Sequence, residues 1–270
     1  MGVENHLLRE LAPISESSWR ALDAEARSRL TPALGARRLV DFEGPLGWHH
    51  SAANLGRVEP LASSPGEGVT AAQRRVAALV ELRAPFSIAR SELGDADRGA
   101  GDVDLDALDR AALRVAAAEN RAVFHGWPAA GITGIVDAST HEPLALGEDS
   151  ERYPRHLAKA VQALLEAGVG GPYGLALGKD VYARVQGAAE HGGYPLLEHL
   201  ATILGGPLVW APGVEGAVLV SQRGGDFALQ VGEDLSIGYD GHDNEAVALY
   251  LEESLTFQVL TADAAIALTL

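Results

Sequence analysis

No cysteine occurs among the 270 residues, which excludes a disulfide framework, thiol catalysis and cysteine-ligated zinc or iron–sulfur centres. Basic charge is also scarce: 21 Lys and Arg stand against 37 Asp and Glu, a formal net charge of −16. Arg37-Arg38 and Arg74-Arg75 are the adjacent basic pairs. Two charges make no polybasic tract, so counterion release offers little grip on nucleic acid. No uncharged apolar stretch reaches the ~18 residues that a membrane helix needs. The first residues, Met1-Gly2-Val3-Glu4-Asn5-His6, lack the cationic region and apolar run of a secretion signal. These absences lead to the expectation of a soluble, acidic, cytoplasmic protein that binds neither nucleic acid nor membrane.

Hydrophobic residues at 47% and charged residues at 21% are ordinary for a globular chain. A compact monomer of 28.2 kDa leaves roughly 11,000 Å² exposed, enough burial for a core without staples. Ser15 to Leu30 reads as an amphipathic helix, with Trp19, Leu22, Ala26 and Leu30 on one face and Thr31-Pro32 as its interruption. Residues 31–68 carry too much Gly and Pro for a compact unit, so this arm needs apolar cover from elsewhere. Docking within the chain is the plain reading, and a neighbouring subunit or bound peptide the sharper one.

Val76 to Arg83 and Phe86 to Ile88 suggest a long β-hairpin. Asp102 to about Phe124 reads as a spine helix with Leu105, Leu108, Ala112, Val115 and Val123 in its stripe. Tyr153 to Ala167 repeats the helical pattern and Gly168 stops it. Short elements follow: a strand over Tyr173–Leu177, then helices over 179–189 and 196–204. From Pro207 onward strands are expected at 208–210, 217–220, 227–231, 246–251, 255–260 and 264–270. The class is α+β.

Chemical fingerprints fail. Gly178-Lys179 is followed by Asp180, so no P-loop forms, and the Gly168 to Gly174 run follows a helix rather than a strand. No G-x-S-x-G elbow is present. His141-Glu142-Pro143 has a proline where a zinc-binding helix would run, and the adjacent His49-His50 would face opposite sides of a strand. No catalytic residues and no metal ligands are assigned.

Several blocks, taken in order, do resemble a known family. They are Leu11-Ala12-Pro13, the run from Gly35 to Trp48, Leu82-Arg83-Ala84-Pro85-Phe86, Arg98-Gly99, Phe124-His125-Gly126 and Gly171-Pro172-Tyr173. Arg223 to Phe227, Gly232 to Tyr239 and Glu253 to Phe257 complete the set. Together they resemble the shell proteins of encapsulin nanocompartments of the single-shell type, over essentially the whole chain.

The resemblance implies a tailed-bacteriophage major-capsid-like fold with a peripheral domain, an axial domain and an extended loop. Residues 1–48 would form the N-terminal helix and arm, 49–93 the extended loop, and 94–135 the peripheral domain with its spine helix. The axial domain would take 136–222, and 223–270 would return as C-terminal strands of the peripheral domain. The implied function is a non-enzymatic subunit of a closed icosahedral shell, typically of sixty copies. Such a shell encloses a cargo enzyme, a dye-decolorizing peroxidase or a ferritin-like protein, by its C-terminal targeting peptide, and pores admit small substrates or ions. Iron storage or oxidative-stress protection would then come through the cargo.

By the same resemblance, Trp19, Arg37, Leu39, Asp41, Leu235, Ile237 and Tyr239 would line the cargo-peptide pocket. Glu190, His191, Gly192, Gly193 and Tyr194 would ring a five-fold pore. Some relatives bind a flavin beside a tryptophan. Ser91 stands there in this chain, so no flavin is expected. Two alternatives remain open: a prophage capsid protein packaging DNA, and a hydrolase- or bacteriocin-like activity.

Overall fold

The computed structural model describes residues 6–188 and 195–270. Ser15 caps the first helix, α1 (Glu16–Ala33), by accepting the Ser18 N–H. Its buried face carries Trp19, Leu22, Ala26, Leu30 and Ala33, the three-four spacing of an amphipathic helix. Pro32 does not end the helix as expected. It sits in the last turn, where its missing N–H costs one bond to an exposed carbonyl, and the Leu34 N–H still reaches the Leu30 carbonyl.

The spine helix is α3 (Asp106–His125), with Asp106 and Asp109 in its first turn. Leu108, Ala112, Val115 and Ala116 pack against α1 in one core, and Val123 and Phe124 reach into a second. The helix stops at Gly126, whose φ of +81° admits glycine readily and whose added Cβ would lie 2.7 Å from the Gly134 nitrogen.

Two five-stranded sheets meet this spine. In the first, the 14-residue strand β11 (Ala246–Val259) pairs antiparallel with β4 (Val80–Ala89) along one edge. Along the other it meets β10 (Ser236–His242) and then β9 (Phe227–Val231), and β1 (Asp41–Glu43) adds in parallel to β9. Ala84, Phe86 and Ile88 alternate inward from β4 onto the α1–α3 core. In the second sheet the order is β5 (Leu144–Ala145), β12 (Ala265–Thr269), β8 (Ala217–Ser221), β6 (Tyr173–Leu177) and β7 (Gly205–Trp210). Strands β6 and β8 are buried at every position, which explains their unbroken apolar runs. Helices α5 (Tyr153–Glu166), α6 (Lys179–Gly187) and α7 (Leu196–Leu204) supply the rest of that core. Two short helices, α2 (Arg90–Asp97) and α4 (Ile135–Ala138), complete the set.

Four readings need correction. The hairpin is formed by β2 (Ala52–Pro60) and β3 (Ala72–Ala78), whereas β4, the supposed second arm, belongs to the first sheet. Local pattern marked strands there but carried no information on the partner. The strands expected at 246–251 and 255–260 are one, because Glu252 and Glu253 between them are buried in the strand and each is paired with an arginine. Strand β10 was not foreseen, since two glycines dilute its pattern. At Gly238 a Cβ would lie 2.1 Å from the Tyr250 ring packed over it. Finally, β12 leaves the 223–270 segment and joins the second sheet.

Candidate functional site

Between α1 and the first sheet lies a cleft of about 520 Å³. Ala26 and Leu30 of α1, together with Leu34, form one apolar wall; Leu235, Ile237 and Leu251 form the other. Helical periodicity brings Ala26 and Leu30 to one face, and strand alternation sends Leu235 and Ile237 to the same side. Thr31, Ser236 and the charged Arg9, Asp23, Arg27, Arg37 and Asp234 complete the lining. Arg9 is committed: its Nη2 lies 2.8 Å from Asp23, and its guanidinium carbon is 4.0 Å from the centroid of the Trp19 ring.

Arg37 is committed more completely. It sits in the turn after α1, its side chain only 14% exposed, and extends a different nitrogen to each of three carboxylates. Nε donates to Glu119 of α3 at 2.7 Å, Nη1 to Asp234 at 2.6 Å, and Nη2 to Glu253 of β11 at 2.9 Å. The Phe42 ring lies 5.0 Å from its guanidinium carbon. Burial opposes the charge on Arg37, but the three carboxylates outweigh that and hold it charged. Burial pushes both Glu119 and Glu253 above the usual carboxylate range, against the pull of Arg37, and the charge of Glu119 raises Glu253 further. The neighbouring Glu252 points to the opposite face of β11, where it pairs with Arg83.

The seven residues expected to line one pocket therefore divide. Arg37, Leu235 and Ile237 line the cleft. Trp19 is buried on the inward face of α1 and supports Arg9. Tyr239 is half-buried on β10, donating its N–H to the Leu7 carbonyl and sharing a hydrogen bond with His242. Leu39 and Asp41 line a separate cleft of about 70 Å³, where Asp41 accepts the Gly225 N–H at 2.6 Å. Glu190, His191, Gly192, Gly193 and Tyr194 lie outside the described residues. The apolar stripe that contained Ala26 and Leu30 was visible in the sequence, but which part of it is left open to solvent was not. Among the described residues, no group of three or more His, Asp or Glu could hold a metal ion, and no helix is long and apolar enough to cross a membrane.

Comparison with known proteins gives a consistent result. Residues 4–256 match a family model described as an encapsulating protein for peroxidase. The chain is 50% identical to a type 1 encapsulin shell protein of Rhodospirillum rubrum, over 98% of this chain and 96% of that one. It is 43% identical to one from Brevibacterium linens, over 98% and 100%. Among solved structures, a virus-like particle from Pyrococcus furiosus aligns with a TM-score of 0.61 at 17% identity, covering 93% of this chain and 98% of that one. A chain of Mycobacterium phage Ogopogo gives 0.54 at 15%, covering 86% and 90%. These structural likenesses place the fold with the tailed-phage capsids.

Proposed function

The chain belongs to the encapsulin shell-protein family, and from that premise we propose that sixty copies close into a cytoplasmic nanocompartment whose inner cleft between α1 and β10 captures a cargo enzyme's targeting segment. It is a shell protein and not an enzyme. One observation carries the assembly reading. The chain exposes 14015 Å², about 3,000 Å² more than a compact monomer of its mass should. At roughly 800 Å² per partner for a standard interface, that excess suits several neighbours.

Much of the uncovered surface is the β2–β3 ribbon, where Val58, Leu61, Val69 and Val76 stand exposed. A lone two-stranded ribbon is marginal in water. On it Arg57 lies directly across from Arg75, beside Arg74; like charges so placed repel unless an acidic neighbouring copy meets them. The double variant R57E/R75E is expected to cut the yield of assembled particles about 10-fold, a loss of ~1.4 kcal/mol, read by light scattering after gel filtration. Wild-type particle yield would refute this account of the ribbon.

The cargo reading rests on the apolar walls of the cleft, which suit Leu or Ile anchors of an extended segment. Among the described residues of the lining, Arg27 at the rim is the cation left for the segment's polar groups, since Arg9 and Arg37 are occupied. A peroxidase or ferritin-like enzyme is the proposed cargo. Ser91, in α2, offers no ring for a flavin to stack on, and none is assigned. The test is co-expression with a fluorescent protein carrying the C-terminal segment of such an enzyme. Leu235→Asp, at a half-buried position, should lower cargo per shell about 10-fold or more, because a charge replaces an apolar wall residue that the bound segment would cover, a loss of ~1.4 kcal/mol or more. Particle size should stay unchanged. Undiminished loading in intact shells would overturn the assignment of the cleft.

A further inference from the structure

Glu119 and Glu253 are both fully buried, and each gives one carboxylate oxygen to Arg37. The other oxygen of each, Oε1, is buried without a donor. Both carboxylates stand on one guanidinium, Glu119 on its Nε and Glu253 on its Nη2. Two ionised carboxylates contain acceptors alone and cannot bond to each other. One proton between them supplies the missing donor and serves both orphan oxygens. It also balances charge: two carboxylates and one guanidinium leave a net negative charge in a dry site, and a single proton removes it. Asp234, with 41% of its side chain exposed, keeps its own charge in contact with water.

We infer that Glu119 and Glu253 share one proton at neutral pH, and that this proton is a latch through which Arg37 ties the turn after α1 to the spine helix and to β11. The groups facing the pair bear this out from each side. Arg37 and Asp234 are the charged ones, and the Phe42 ring covers the guanidinium. Asn120, next along α3, is spent on the Ala33 and Pro212 carbonyls and the Ala36 N–H. Glu252, next along β11, faces Arg83 instead. The inference does not depend on what the cleft binds.

The sign follows from linkage. A carboxyl held above its unfolded value stabilises the fold at low pH, and that stability is lost as pH rises through the folded value. Between the unfolded and the folded value the ratio of opened to closed chain should grow about 10-fold per pH unit, the slope of one released proton, and it should level off above the folded value. In assembled wild-type shells with side-chain carboxyls of glutamate labelled with ¹³C, infrared difference spectra between acid and alkaline buffer should show a protonated glutamic acid band that disappears on the alkaline side. Glu253→Gln, whose amide supplies the donor permanently, should remove both the band and this part of the pH slope in denaturant unfolding. Glu119→Gln should do the same. Absence of the band in wild-type shells, or an unchanged slope in a folded variant, overturns the inference. Should both variants fail to fold, the wild-type spectrum decides alone.

Discussion

Shells carrying Arg37→Ala are expected to be the least stable of any single variant considered, losing ~3–5 kcal/mol. That is a large share of the ~5–15 kcal/mol available to a typical domain. The cause is the set of carboxylates left behind rather than the value of the three bonds. Glu119 and Glu253 are wholly buried, and without the guanidinium nothing offsets the burial of their charge. They would fold only as neutral acids, so the remaining stability should fall further as pH rises, by the linkage sign already given for raised carboxyls. Urea unfolding at a mildly acidic and a mildly alkaline pH reads both effects. Adding Glu253→Gln to Arg37→Ala should restore part of the loss, because the second change removes a buried charge that the first had orphaned. Arg37→Lys should fall between, since an ammonium cannot present the planar fork that meets three acceptors in three directions. A midpoint equal to wild type in Arg37→Ala at both pH values would show that the network carries no stability.

Asn120→Leu, which keeps the number and branching of the side-chain heavy atoms, should cost about 3 kcal/mol. The amide accepts the Ala36 N–H at 2.9 Å and donates to the Ala33 carbonyl at 2.8 Å and the Pro212 carbonyl at 3.0 Å. It therefore joins the end of α1, the Arg37 turn, the spine helix and the loop between β7 and β8. Leucine leaves the N–H of the fully buried Ala36 and the Pro212 carbonyl without this partner, and takes one of two donors from the Ala33 carbonyl, which keeps the Gly35 N–H. Asn120→Asp would keep the acceptor for Ala36 but set a carboxylate against two carbonyl oxygens, and should be no better at neutral pH. Denaturant unfolding gives the magnitude. Amide exchange gives the location, with the end of α1 losing protection before the second sheet does. Uniform loss of protection across the chain would speak against a local joint.

Family membership was legible because its evidence is linear: blocks such as Gly232 to Tyr239 occur in order, and no contact need be known to read them. Several elements were equally legible. Strand β6, helix α7 and strand β9 have the bounds that their apolar runs and flanking glycines suggested. The errors share a cause. Pairing between β4 and β11 joins Ala89 to Ala246, a separation over which local pattern is silent. Glu119 and Asn120 are polar residues outside the apolar stripe read for α3, yet both are fully buried. Their partners arrive from three other segments. The seven residues grouped by the resemblance divide for the same reason: Leu39 and Asp41 are close in sequence to Arg37 but turn toward a different cleft.

By itself, then, the order of residues determined the family, the α+β class, the amphipathic faces of α1 and α3, and the need for outside cover on a Gly- and Pro-rich arm. Tertiary structure decided which strands pair, which carboxylates lie in the dry interior, and which part of the α1 stripe stays open as a cleft. The division is physical. Helix faces and turns arise from neighbours a few residues apart, whereas the charge state of a buried acid depends on what distant segments bring beside it.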